Sequence, residues 1–228
     1  MQEHVLSTSR TARYFTLGHP TDATELWFVC HGYGQLASRF LERFRALESP
    51  GRCIVAPEGL SRFYLTEHPT ERRVGASWMT REDRLHEIDD YVRYLDAVHA
   101  QVASGKARVT ALGFSQGTAT ACRWAAFGSA RIDRLIVWGG EVPPDLDLGD
   151  TRVKERLSAL RLTLVYGTDD AFFSTKVVAA TTARLSTRAN PNRSALHSVC
   201  IGSPPGPETN RWSNTIFSDP GARCTYRV

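Results

Sequence analysis

The sequence predicts an α/β fold, a mainly parallel central sheet flanked by helices on both faces. Three observations carry that expectation. Five short apolar runs read as buried strands, helical periodicity lies between several of them, and some end in Gly or Pro as strands do on entering a loop. At 228 residues the chain is expected to be one domain, residues 1–228, a little beyond the about 100–200 residues usual for one.

The elements follow in order. Arg13 to Leu17 adds an edge strand, and Leu26 to Cys30 (LWFVC) and Cys53 to Ala56 (CIVA) are the first buried strands. A long helix is expected from about Arg81 to Val102, because Leu85, Ile88, Val92, Leu95, Val98 and Val102 recur at three- and four-residue steps and so share one face. Val109 to Leu112 is the next strand, Gln116 to Phe127 a shorter helix, and Leu135 to Trp138 and Leu162 to Tyr166 two further strands. Thr175 to Leu185 reads as a helix and Ser194 to Ile201 as a last strand. From about residue 190 to 228 the segment is atypical, with five of the eleven prolines and no periodic apolar face after Ile201; it is expected to be irregular.

Twenty-eight Lys and Arg against twenty-four Asp and Glu leave a net charge of +4 without a polybasic run, so nucleic-acid binding is not indicated. The five cysteines, Cys30, Cys53, Cys122, Cys200 and Cys224, form no Cys-x-x-Cys. Most lie in apolar runs, where a reduced thiol packs as a small hydrophobe, and neither a disulfide framework nor a zinc site is expected. The stretch MQEHVLSTSRTARYF lacks the charged and apolar blocks of a signal peptide, and no apolar run is long enough to span a bilayer. A soluble cytoplasmic protein without stable membrane insertion is the expectation.

The chemistry centres on Gly113-Phe114-Ser115-Gln116-Gly117, between a strand and a helix. That is the setting of a nucleophile elbow, where a sharp turn exposes a serine hydroxyl and leaves room only for glycine beside it. A bare Gly-x-Ser-x-Gly arises by chance in about one chain of this length in ten, so the strand and helix around it decide the reading: Ser115 is the nucleophile. The strand ending at Cys30 runs into His31-Gly32-Tyr33-Gly34-Gln35. A tetrahedral oxyanion needs two donors, and the expected pair is the amide of Gln116, just after the nucleophile, with that of Tyr33 from this early loop. His31 reads as a brace for the loop.

Five segments carry a family resemblance: Cys30-His31-Gly32-Tyr33-Gly34, Ala56-Pro57-Glu58-Gly59, Ala76-Ser77-Trp78-Met79, Gly113-Phe114-Ser115-Gln116-Gly117 and Gly167-Thr168-Asp169-Asp170. In that order, over roughly residues 13 to 190, the chain resembles the phospholipase/carboxylesterase branch of the α/β-hydrolase fold, which includes acyl-protein thioesterases. The resemblance implies that Asp170 orients the catalytic histidine, with Asp169 as understudy; the alternative is that both acids cap the helix that follows. It also implies a histidine in a Gly-Gly-His-like turn after the last strand, and this chain departs from that. Ile201-Gly202-Ser203-Pro204-Pro205 stands there, and no histidine follows His197.

Chain order in the fold is Ser, Asp, His, which selects His197 as the base, although it sits inside the apparent strand Ser194 to Ile201. Three readings compete: His197 serves from a shorter strand, His68 serves out of order, or the site lacks its histidine because the C-terminal sequence differs from that of relatives. Phe63, Tyr64, Trp78, Met79 and Phe172 are the expected substrate contacts, in an open cleft suited to short or medium acyl groups. The function expected is a serine carboxylesterase acting on a small-molecule acyl ester through an acyl-enzyme, as monomer or homodimer, with no metal or organic cofactor. Acyl-protein thioesterase or lysophospholipase activity is the alternative within the same chemistry. A catalytically impaired binding protein is the alternative outside it.

Overall fold

The computed structural model describes residues 1–66, 72–103, 105–167 and 181, together with the backbone of 196–201. Nine strands and four α-helices follow one another as β1 (Tyr14–Leu17), β2 (Glu25–Cys30), α1 (Ala37–Leu41), β3 (Arg52–Pro57), β4 (Ser61–Tyr64), β5 (Val74–Ser77), α2 (Arg84–Val102), β6 (Arg108–Phe114), α3 (Gln116–Phe127), β7 (Arg134–Trp138), α4 (Thr151–Ser158), β8 (Arg161–Gly167) and β9 (Leu196–Ile201) among the described residues. A 3₁₀ turn, Glu42–Leu47, continues α1.

Seven strands form one sheet in the order β1-β3-β2-β6-β7-β8-β9. Only β1 runs antiparallel, on the edge beside β3, and every other pairing in that sheet is parallel. The five apolar runs are therefore central strands, and their near-continuous hydrophobicity follows from burial on both faces. In β2 the alternation is visible directly: Leu26, Phe28 and Cys30 enter one core cluster, Trp27 and Val29 the other. The first cluster is covered by α2, α3 and α4 through Leu95, Val98, Trp124, Ala125 and Val153. The second is covered by α1 and its 3₁₀ extension through Ala37, Phe40 and Phe44. Helices thus flank the sheet on both sides.

The long helix starts three residues later than the periodicity suggests. Asp83 takes a left-handed backbone (φ 46°) at its N-cap, which turns the first helical residues away from the sheet. Leu85, expected on the apolar face, is 74% exposed. Ile88, Tyr91, Val92, Leu95, Val98 and Val102 are buried as the pattern requires. The hairpin β4–β5 and α1 carry only four or five residues each, too few for a periodic signal. The helix expected over Thr175 to Leu185 lies, apart from Thr181, outside the described residues, as does the segment after Ile201. Cys30, Cys53 and Cys122 are buried thiols outside any disulfide. Among the described residues no helix is long and apolar enough to cross a membrane.

Candidate active site

Ser115 sits between the end of β6 and the start of α3 with φ 53° and ψ −119°, a backbone that costs an L-residue about 1–3 kcal/mol and persists only where its surroundings enforce it. The enforcement is specific. Ser115 N–H donates to the Trp138 carbonyl (3.0 Å), and its own carbonyl accepts from Thr118 N–H (3.0 Å). The Thr118 hydroxyl donates back to the Gly113 carbonyl at 2.9 Å. A Cβ on Gly113 would overlap the backbone of Gly117, and one on Gly117 would overlap the carbonyls of Cys30 and His31. Both glycines of the pentad are thus required by close backbone approach. The serine they present is exposed.

The turn after β2 lies against this elbow. A Cβ on Gly32 would stand 3.3 Å from Ser115 Cβ and 3.2 Å from the Phe114 ring. Gly32 N–H donates to Gln35 Oε1 at 2.8 Å. Gln35 N–H donates to the Gly32 carbonyl (3.2 Å) and Gly34 N–H to the Ala76 carbonyl (2.9 Å). The Tyr33 amide, alone in this turn, has no acceptor among the described residues. As first residue of α3, Gln116 likewise has an N–H with no intrahelical acceptor. Among the described residues these two amides have no chain acceptor, and a tetrahedral oxyanion needs two such donors.

His31 is wholly buried and both ring nitrogens are committed. Gly59 N–H donates to Nε2 at 2.9 Å, so Nδ1 carries the proton and donates to the Gly32 carbonyl at 2.8 Å. Burial holds the imidazole below its ordinary pKa against the smaller opposing effects of the Gly32 bond and the charge of Glu58. It is a brace, as the sequence suggested. Three side chains to which the sequence assigned no framing role complete the frame. Gln116 Nε2 donates to the Met79 carbonyl (2.8 Å) and Ser77 Oγ (3.1 Å) while Oε1 accepts from Trp78 N–H (3.1 Å). Gln35 pins Gly32. Glu58, 2% exposed, accepts from Arg13 Nε at 2.7 Å, Arg62 at 3.3 Å and Ala37 N–H at 3.3 Å. A glutamate closing the apolar strand end at Ala56-Pro57 was the available signal for this buried carboxylate.

Of the expected substrate contacts, Phe63 sets its ring 5.0 Å from that of Tyr33 with the planes tilted by 33°, and Tyr33 is 59% exposed. Tyr64 is exposed and Met79 half-buried. Trp78, expected at the substrate, is 1% exposed and its indole N–H donates to the His31 carbonyl at 2.8 Å. It belongs to the wall behind the turn. Asp169, Asp170, Phe172 and His68 lie outside the described residues. For His197 the backbone register is defined: it pairs with Thr163, which pairs with Ile136, which pairs with Leu112. That level lies three residues before Ser115 and three strands away, roughly 14 Å across the sheet. Among the described residues no group of three or more His, Cys, Asp or Glu side chains is arranged to hold a metal ion.

A parallel sheet with a strained serine between strand and helix, faced by a His-Gly turn with a free amide, defines a hydrolase scaffold. The chain matches the model of the alpha/beta hydrolase fold over residues 28–218 and belongs to that family. Among curated protein sequences none matches. Solved structures agree with the resemblance read from the sequence. Acyl-protein thioesterase 2 of Zea mays superposes with a TM-score of 0.65 at 17% identity, over 87% of this chain and 94% of that one. A carboxylesterase from Mesorhizobium loti gives 0.65 at 17% identity, over 92% and 95%. A phospholipase/carboxylesterase from Dyadobacter fermentans gives 0.60 at 16% identity, over 92% and 98%.

Proposed function

We propose that the protein is a serine carboxylesterase acting on short- to medium-chain acyl esters. The observation that carries this reading is the exposed Ser115 at φ 53°, flanked by the unengaged amides of Tyr33 and Gln116. Ester-type hydrolysis is also what the family and the esterase and thioesterase neighbours support. Ser115 Oγ attacks the acyl carbonyl carbon and gives its proton to a histidine. The two amides stabilise the oxyanion, and the alkoxide leaves with that proton as the acyl-enzyme forms. Water then enters by the reverse proton path and releases the acid. Asp170 orients the histidine, and His197 is the base that chain order selects, with His68 as the out-of-order alternative. Phe63, Tyr64, Met79 and Phe172 surround the acyl group. A thioester would be cleaved by the same steps, with a thiol leaving.

The register of β9 favours a second reading, a hydrolase fold that binds an acyl ligand without turning it over. Incubation with a small fluorophosphonate, followed by peptide mass analysis, separates the two. An activated site is modified at Ser115 alone, hydrolyses 4-nitrophenyl butyrate, and loses about 10⁴–10⁶ in kcat on Ser115→Ala. Full activity in Ser115→Ala would sink the assignment. Saturable ligand binding with neither labelling nor hydrolysis would put the binding protein first.

A further inference from the structure

A cavity of about 220 Å³ opens behind the oxyanion turn and plays no part in the acyl-transfer steps. Gly34 and Gln35 of the turn and Phe40 of α1 line it, together with Arg39, Arg43 and Arg73. All three arginines are exposed. Arg13, Arg52 and Arg123 each meet a carboxylate, whereas these three have no acidic partner among the described residues. Arg39 and Arg43 stand four residues apart on α1 and its 3₁₀ continuation, a spacing at which like charges repel one another. Arg73, the third, stands just before β5.

The cavity is tied to the elbow on two sides. Gln35, which lines it, holds Gly32 N–H through Oε1. The Phe40 ring stacks 6.0 Å from that of Phe114, the residue before Ser115. An occupant would touch the frame of the reacting centre.

We propose that this cavity is a subsite for an oxyanion, a carboxylate or phosphate carried by the ester substrate. The proposal deepens the esterase reading and rests on it. Planar guanidinium forks match both anions in two-point geometry, and a bound anion offsets the mutual repulsion of the three cations that line the cavity. Neutral esters would use the acyl contacts proposed above alone; anionic ones would gain the arginines as well.

The test uses two matched substrate pairs. 4-Nitrophenyl hexanoate against the 4-nitrophenyl monoester of adipic acid puts the charge on the acyl side. 1-Hexanoylglycerol against its 3-phosphate puts it on the alcohol side. In at least one pair, Arg39→Gln with Arg43→Gln, and separately Arg73→Gln, lower the anionic-to-neutral ratio of kcat/KM by about tenfold, mainly through KM. A folding defect depresses both members of a pair and cancels in the ratio. An unchanged ratio in both pairs overturns the proposal. Should the wild type hydrolyse none of the four, the esterase reading fails, and calorimetric titration with inorganic phosphate decides the cavity by itself. Binding by wild type that the double variant loses keeps the anion site, while equal binding, or none to wild type, removes it.

Discussion

Replacing Gln116 by leucine separates the two jobs of the residue after the nucleophile. The main-chain N–H is kept, whereas three side-chain hydrogen bonds, to the Met79 carbonyl, Ser77 Oγ and Trp78 N–H, are lost. Each such bond contributes about 1 kcal/mol net, and the Trp78 N–H is left without its partner in a half-buried setting, while the Met79 carbonyl keeps only Ser77 Oγ at 2.9 Å. Leucine returns part of this through apolar contact, so a net loss of about 2 kcal/mol is expected. For a chain of this size that lowers the thermal midpoint by roughly 4–8 °C. Calorimetric unfolding at neutral pH reads it. Gln116→Glu is the control: it can still accept from Trp78 N–H but sets a carboxylate against the Met79 carbonyl, and should fall at least as far. Unchanged midpoints in both variants would refute the account of how the loop after β5 is held.

Three other outcomes follow from the same contacts. Gly117→Ala drives a methyl into the carbonyls of Cys30 and His31, backbone atoms that cannot rotate aside; a loss of about 1–3 kcal/mol and slower fluorophosphonate labelling of Ser115 are expected. Asp150 caps α4 by accepting from Val153 N–H at 3.0 Å, so Asp150→Ala should cost about 1 kcal/mol in urea unfolding, with Asp150→Asn recovering most of it. His31 is held below its ordinary pKa by burial, so the unfolded chain takes up its proton first as pH falls below about 6.5. Stability from this residue is full above that pH and declines below it at up to about 1.4 kcal/mol per unit. His99, also lowered chiefly by burial, adds to the slope, and exposed His86, raised chiefly by its bond to Asp83, opposes it. His31→Gln should flatten the urea-stability profile between neutral and mildly acidic pH.

The central strands were legible because burial on both faces leaves runs such as LWFVC with nothing polar to confuse the pattern. The elbow was legible because Gly113 and Gly117 answer a close approach that no other residue fits. Leu85 misled because periodicity assigns a face without knowing where the helix begins, and the left-handed Asp83 sets that start. Trp78 misled for a related reason: an aromatic beside a predicted cleft can turn inward as readily as outward, and here the His31 carbonyl offers its indole N–H an acceptor. The framing role of Gln116, Gln35 and Glu58 depends on partners 3 to 45 positions away, a relation that local pattern does not encode.

The last strand turns the histidine question into a geometric one. β8 ends at Gly167, immediately before Thr168-Asp169-Asp170, and Gly167 pairs with Ile201. A histidine meeting the acid at the C-terminal edge of the sheet would come from residues that follow Ile201, since His197 is paired four residues lower, with Thr163. That following stretch begins Gly202-Ser203-Pro204 and contains no histidine. Under the second reading, in which the site is complete except for its base, supplying one there should raise activity. Ser203→His is expected to increase the rate of fluorophosphonate labelling at Ser115 by about tenfold, short of the roughly 10²–10⁴-fold of a well-positioned general base, and the gain should vanish in the Ser115→Ala background. Fast labelling of the wild type that His197→Ala abolishes would overturn this reasoning. It would mean that β9 is drawn four residues along the sheet in the working enzyme, an even slip that keeps the same face of the strand.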